Sequence, residues 1–288
     1  MVTGAAGFLG SHTVRQLVAS SVDVLALDLR SSDHLGCRSS RMSVMDPGLS
    51  EALVSADAVI HLAGPVASAL RGSPKQARSL ELDGTRNVVQ SCIAARVPHL
   101  IYASSFYVYS GREKDGMVHE GTILDRGSAG EFGSIKLQSE ALCHLLTRDT
   151  PTSVTILRFG SAYGVGGSNA VVNFFETGLR GQPIIIWGKG QRSNQYTHAE
   201  DIARGIDAVL QHRGGIFNLV SPQRTTGAEL AHLLHRDFGF RVRFDKSRTE
   251  GPAFPYMSAQ RATEALGWRP TNLSDGLQRT FAALRRAE

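Results

Sequence analysis

The sequence is poor in cysteine and lysine, and it has no long hydrophobic run. Its three cysteines, Cys37, Cys92 and Cys143, are odd in number and widely separated in 288 residues. That argues against a disulfide framework or a cysteine-rich zinc module and fits reduced thiols serving as core filler. No apolar stretch approaches the roughly 18 residues that a membrane helix needs. The opening MVTGAAGFLGSH lacks the charged-then-apolar layout of a secretory signal. A cytoplasmic protein without a membrane partner is expected. The ten histidines include no H-x-x-x-H pair carrying a catalytic glutamate, so no metal is expected. The formal charge is +5, but the basic residues are scattered singly and no basic cluster is interleaved with aromatics; no nucleic-acid partner follows. Only five lysines stand against 26 arginines, so a lysine at a site position carries information.

What is present is alternation. Short apolar runs occur at residues 22–28 (VDVLALD), 58–62 (AVIHL), 100–104 (LIYAS) and 154–159 (VTILRF). Segments of helical periodicity separate them, at 8–20, 47–55, 74–95 and 130–148. The pattern implies an α/β fold, a doubly wound parallel sheet with helices on both faces. Beyond about residue 159 the spacing becomes irregular, with strands expected at 183–187, 216–219 and 242–244 and helices at 259–266 and 274–285. Residues 1–160 therefore read as a dinucleotide-binding domain and 161–288 mainly as a smaller C-terminal substrate lobe, with a segment near 183–220 returning to the first. Only Met1, Val2 and Thr3 precede the first glycine turn, where a strand ordinarily takes about five residues; either that strand is short or leading residues are missing.

Gly4, Gly7 and Gly10 form TGAAGFLG, directly after the first strand and opening a helix through Phe8 and Leu9. In such a turn the first glycine permits the bend, the second lets backbone N–H groups approach a pyrophosphate, and the third allows close helix-to-strand packing. Asp28 ends the second strand 18 residues after Gly10, where a carboxylate can accept from both hydroxyls of an adenosine ribose. It would repel a 2′-phosphate, which favours NAD, although Arg30 nearby leaves NADP open.

With these features the chain resembles the extended short-chain dehydrogenase/reductases, the NAD-dependent epimerase/dehydratase group. The resemblance spans nearly the whole length: TGAAGFLGSH, HLAG at 61–64, DGTRNVV at 83–89, YASSFYVYS at 102–110, LRFGSAYG at 157–164, YTHAEDIA at 196–203 and ALGWRP at 265–270 fall in the family's order. It implies a Rossmann-type fold, NAD contacts at Leu62, Ala63 and Gly64 as well as the glycine turn, and a homodimer formed through the helices at 74–95 and 130–148. It also implies a catalytic set in which a serine polarises the substrate oxygen, a tyrosine exchanges the proton, and a lysine four residues later clamps the cofactor ribose and favours the phenolate. Ser105 matches the serine and Lys136 the lysine. Phe132 stands at the tyrosine position and has no hydroxyl.

Three explanations fit that gap: an introduced tyrosine-to-phenylalanine change; a natural enzyme that uses Tyr107, Tyr163, Glu131 or a water instead; or a cofactor-binding sensor without turnover. The substrate side also departs from the family. Ser161 replaces an asparagine, and Asn194 replaces an arginine that holds the diphosphate of nucleotide sugars. Arg192 and Arg248 are left as phosphate contacts, with Tyr107 beside the reacting centre. Ser43 stands where an adenine-binding aspartate is common, and Glu81 replaces an asparagine of the fourth helix. Phe106 and Tyr107 replace the Asp-Glu pair of 4,6-dehydratases, which argues against dehydration. The resemblance thus implies an oxidoreductase or epimerase acting at a hydroxyl or keto carbon of a nucleotide sugar or related small molecule.

Overall fold

Seven strands, most of them apolar runs, come together as one parallel sheet. The computed structural model describes residues 1–111, 116–167, 169–251 and 254–287. Along the chain come β1 (Val2–Thr3), α1 (Phe8–Ala19), β2 (Leu25–Asp28), β3 (Arg38–Arg41), α2 (Leu49–Ala52), β4 (Ala58–His61), α3 (Ala69–Gly72), α4 (Pro74–Ala94) and β5 (His99–Ser105). Then follow β6 (Met117–Val118), α5 (Gly130–Thr147), β7 (Ser153–Phe159), β8 (Ser161–Tyr163), α6 (Ala170–Leu179), β9 (Ile184–Trp187), β10 (Ser193–Asn194) and β11 (Tyr196–His198). The last stretch holds α7 (Ala199–Val209), β12 (Gly215–Leu219), β13 (Thr225–Thr226), α8 (Gly227–Phe238), β14 (Val242–Asp245), β15 (Tyr256–Met257), α9 (Gln260–Leu266) and α10 (Leu273–Ala287).

The sheet order is β12-β7-β5-β4-β1-β2-β3, every pair parallel. It is the doubly wound Rossmann-type arrangement: the chain winds outward from β1 through β2 to β3, then crosses back to β4 on the other side. That reversal between β1 and β4 leaves a crevice at the carboxyl ends of the strands, where ligands of such sheets lie. β5 and β7 are buried along nearly their whole length, as expected of strands covered on both faces. One core, with Val14, Leu17, Ile202 and Ile206, lies under α1 and α7; the other, with Val88, Val89, Cys92 and Cys143, lies under α4 and α5. Gln16 of α1 and Ser20, which caps that helix, both donate to Asp207 of α7, at 2.9 and 2.6 Å.

Of the segment near 183–220, β12 is the edge strand of the large sheet, whereas β9 pairs with β14. A third core, with Tyr163, Phe175, Ile184, Leu230, Leu234 and Leu277, packs α6, α8 and α10 around β9. Two family segments lock together here: buried Asp201 accepts from Thr271 N–H at 2.9 Å, and its carbonyl accepts from the Trp268 indole at 2.7 Å. Among the described residues, no helix is long and apolar enough to cross a membrane.

Candidate active site

The glycine turn forms one wall of the crevice. Gly4 has φ +69°, and a Cβ on it would sit 2.7 Å from the Ala63 nitrogen; a Cβ on Gly10 would overlap the Gly4 carbonyl. No side chain is tolerated where β1, α1 and the segment after β4 meet. Gly7 caps α1, and its N–H donates to the Gly4 carbonyl at 3.0 Å, so the N–H groups of Phe8 and Leu9 open the first turn toward the crevice. Asp28 closes the far end. Its Oδ2 accepts from Ala6 N–H and its Oδ1 from Arg30 N–H, both at 3.0 Å, while the Arg30 guanidinium donates to the Ala6 carbonyl at 2.6 Å. Gly4, Gly7, Asp28 and Arg30, with Ser43, Leu62, Ala63 and Gly64, line a cleft of about 230 Å³. A cradle that a Cβ would fill, a helix start and a strand-end carboxylate fit the adenosine diphosphate half of a dinucleotide.

At the inner end of this cleft lies Lys136. Its Nζ donates to the Ala103 carbonyl at 2.9 Å and to Glu81 Oε1 at 3.0 Å. Glu81 Oε2 also lies 3.0 Å from Nζ, yet it has no hydrogen-bond partner among the described residues. The Tyr102 hydroxyl donates to Glu81 Oε1, and the ammonium sits 5.0 Å over the Tyr102 ring. Both ions are buried, at 9% and 1% exposure. Burial alone would raise the Glu81 carboxyl, but Lys136 and the Tyr102 hydroxyl bring it below its ordinary range. Gly64 is the link to the cofactor cleft: a Cβ there would lie 2.8 Å from Glu81 Oε2 and 3.8 Å from Lys136 Nζ. Just beneath, His61 is held between Thr3 Oγ1 at 2.8 Å and Thr85 Oγ1 at 3.2 Å. Burial, with Lys136 adding to it against the opposing pull of Glu81, drives its pKa down to about 4.

Ser105 ends β5, and its Oγ accepts from Tyr107 N–H at 3.4 Å. Phe132, in the first turn of α5, presents its ring edge-on to Tyr107, centroids 5.4 Å apart. Tyr107 in turn contacts Phe106 at 4.7 Å and Phe254 at 5.1 Å. Gly133 permits this approach, because a Cβ there would strike the Tyr107 carbonyl. Ser105, Tyr107, Phe132 and Lys136 therefore gather where β5 ends and α5 begins. The other groups considered for the missing proton lie elsewhere. Tyr163 is 1% exposed and packed on Tyr196 and His198; Glu131 faces solvent 3.9 Å from Arg78.

Among the substrate-side residues, Asn194 bridges two spaces. With Ser161, Phe106 and Arg224 it lines a narrow gap. With Arg192, Trp187, Tyr196 and Phe174 it lines a cleft of about 330 Å³. The Arg192 guanidinium lies 6.0 Å over the Phe254 ring, and its buried Nε has no hydrogen-bond partner among the described residues. Arg248 stands apart: it pairs with Asp245 at 3.2 Å and stacks 5.1 Å over Trp187. Sequence reasoning missed Glu250, whose carboxylate accepts from Lys189 N–H at 2.9 Å, Gln191 N–H at 3.0 Å and Arg192 N–H. Those backbone donors, Arg192 foremost, hold its carboxyl below the usual range. It also missed Arg224, which donates to Ser193 Oγ at 2.5 Å and to the Phe254 carbonyl at 3.3 Å. Neither position carries a sequence signal, since both act across many residues.

The model of the NAD dependent epimerase/dehydratase family matches residues 1–219. An uncharacterized UDP-glucose epimerase of Bacillus subtilis, YtcB, is 27% identical over 99% of this chain and 97% of its own. Among solved structures, MoeE5 in complex with UDP-glucuronic acid and NAD is 27% identical with a TM-score of 0.90, covering 100% of this chain and 99% of that one. A tyrosine-to-phenylalanine mutant of UDP-glucuronic acid 4-epimerase from Bacillus cereus, in complex with UDP-4-deoxy-4-fluoro-glucuronic acid and NAD, is 25% identical. Its TM-score is 0.89, with the same two coverages.

Proposed function

The chain belongs to the NAD dependent epimerase/dehydratase family, and from that premise we propose that it binds NAD across the β1–β4 crevice and acts at a hydroxyl or keto carbon of a nucleotide sugar or related small molecule. The observation that carries this reading is the continuity from the Gly4–Gly10 cradle through Gly64 to Lys136, which leads from a pyrophosphate site to the end of β5. The Asp28 carboxylate favours NAD, because a 2′-phosphate would meet a negative charge there. Bound NAD supplies a hydride acceptor for a carbinol carbon; the hydroxyl proton must leave to a group of the protein. Ser105 Oγ polarises the substrate oxygen. Position 132 offers no proton acceptor, and of the tyrosines weighed for that part Tyr107 is the one whose ring touches Phe132. We assign the proton to Tyr107, which accepts it as the phenolate and becomes the neutral phenol. No carboxylate follows Ser105 to move a second one, so epimerisation or simple oxidoreduction is favoured over dehydration. Arg192 takes the anionic part of the substrate, with Asn194 and Tyr196 beside it on the cleft wall.

The test is to measure NAD binding by calorimetry and then incubate the protein and NAD with UDP-glucose, UDP-glucuronic acid and dTDP-glucose, following reduced nicotinamide and product stereochemistry. Absence of NAD binding would overturn the proposal. Turnover in the parent that falls by about 10² to 10⁴ in Tyr107→Phe supports the assignment of the phenol. A second reading, a cofactor-binding sensor without turnover, is favoured by Phe132 itself; it predicts NAD binding and no product from any of the three sugars.

A further inference from the structure

Among the buried groups that the mechanism leaves without a part is Glu81, whose carboxylate meets the ammonium of Lys136 at 3.0 Å. An ammonium carries three donors. Two are used here, by Glu81 and by the Ala103 carbonyl, and the carboxylate is itself fixed by the Tyr102 hydroxyl. Of the other titratable groups around the pair, His61, Tyr102 and Cys143 bring no charge at neutral pH, and Glu140, one turn further along α5, is held in its own ion pair with Arg158. His61 stays neutral because burial drives its pKa to about 4, and the Tyr102 and Cys143 protons are held on by burial. Seen from position 132, one helical turn before Lys136, the lysine is not a free cation but half of a dipole.

We infer that Glu81 is a positioning residue that holds Lys136 in a net-neutral buried ion pair and so withdraws the charge that would stabilise a phenolate at position 132. The carboxylate at 81 and the phenylalanine at 132 are then one linked arrangement: a phenol beside this pair would remain an ordinary phenol. The inference depends on the proposed function only for the location of the site. A single substitution that merely removed a hydroxyl would leave the neighbouring charges those of an active phenol site, and Glu81 shows that they are not.

The experiment is an ultraviolet difference titration of Phe132→Tyr against the parent protein without NAD, so that the result does not depend on cofactor binding. A tyrosine next to an unpaired ammonium is lowered by about 1–3 pKa units, from an ordinary value of about 10. The new phenol is expected to titrate near that ordinary value in Phe132→Tyr. In Phe132→Tyr combined with Glu81→Gln or Glu81→Asn it is expected at least about one unit lower. Thermal unfolding establishes that each variant is folded. Should neither substitution at 81 fold, the single variant still decides, since a phenol titrating a unit or more below the ordinary value there overturns the inference; so does a double variant with the same midpoint as the single. Calorimetric NAD binding, measured on the same samples, tests the proposed function separately. If both hold, turnover in the double variant exceeds that of Phe132→Tyr at least about tenfold at neutral pH.

Discussion

Lowering the pH from 7 to 5 should destabilise this protein through two buried histidines. His61, 2% exposed, and His99, 1% exposed, are each driven from an ordinary pKa of 6.5 to about 4, chiefly by burial and secondarily, at His99, by Arg213. His99 gives one ring nitrogen to Thr155 Oγ1 at 2.8 Å, so protonation would leave a buried cation with no balancing anion and the Arg213 charge nearby. Between pH 6.5 and 4 the unfolded chain takes up these protons and the folded chain does not. Stability is therefore complete above the unfolded pKa and declines as pH falls, levelling out below about 4. At pH 5 the linkage relation gives a loss of about 2 kcal/mol per histidine, or about 4 kcal/mol together, against a typical total of about 5–15 kcal/mol. With an unfolding entropy of about 2.1 cal/mol/K per residue over 288 residues, the melting temperature should fall by about 6 °C. Scanning calorimetry at the two pH values and constant ionic strength reads this directly, and His61→Gln and His99→Gln should each remove about half of the drop. An unchanged melting temperature, or glutamine variants that keep the full acid sensitivity, would falsify the reasoning. Protonation of Glu81, whose folded pKa is depressed below the ordinary carboxylate value, removes stability only at lower pH, so the two windows are distinguishable.

Other outcomes follow from the same geometry. Gly10→Ala drives a methyl group into the Gly4 carbonyl and should weaken NAD binding at least about tenfold while costing about 1–3 kcal/mol of stability; unaltered binding in a calorimeter would mean the cradle is elsewhere. Arg158 clasps Glu140 at 2.9 and 2.6 Å, with both side chains buried. Glu140→Gln should therefore cost about 3–5 kcal/mol in denaturant unfolding, and Glu140→Leu with Arg158→Met should cost less than the single change. On the substrate side, Arg192→Ala should weaken UDP binding about tenfold and Arg192→Lys should not restore it, whereas Arg248→Ala should leave it unchanged; equal losses at both arginines would place the anion outside the Asn194 cleft.

Much of the sheet was legible because strands buried on both faces must be apolar along their length, as β4, β5 and β7 are. β3 was not: its sequence RSSR is an exposed edge with no apolar pattern, held by pairing with β2 and by side-chain contacts such as Arg38 to Asp23. The helix expected at 47–55 is the four-residue α2, since Pro47 and Gly48 favour a turn and Ser55 sits at φ +69°. α7 and α8 were seen only as irregular spacing, although each carries a buried stripe and α8 a full capping box at Thr226 and Glu229. The glycine turn and Asp28 could be proposed from local spacing, whereas Ser105, Phe132 and Lys136 were proposed through the family resemblance, whose tyrosine and lysine positions lie one helical turn apart. Glu81 could be noted as a departure but not understood, because its partner lies 55 residues away. Arg248 has a suggestive position in sequence, yet its side chain is taken by Asp245 and Trp187.

Glu250 has a consequence for what can be recognised at the neighbouring cleft. The amides of Lys189, Gln191 and Arg192 already grip a resident anion, one tethered to the same chain and so present at a local concentration no diffusing phosphate can match. This loop cannot serve as a backbone nest for an incoming negative group. In the proposed role of this cleft, an incoming anion would have to be met by side chains instead, the Arg192 guanidinium with Asn194 and Tyr196 beside it.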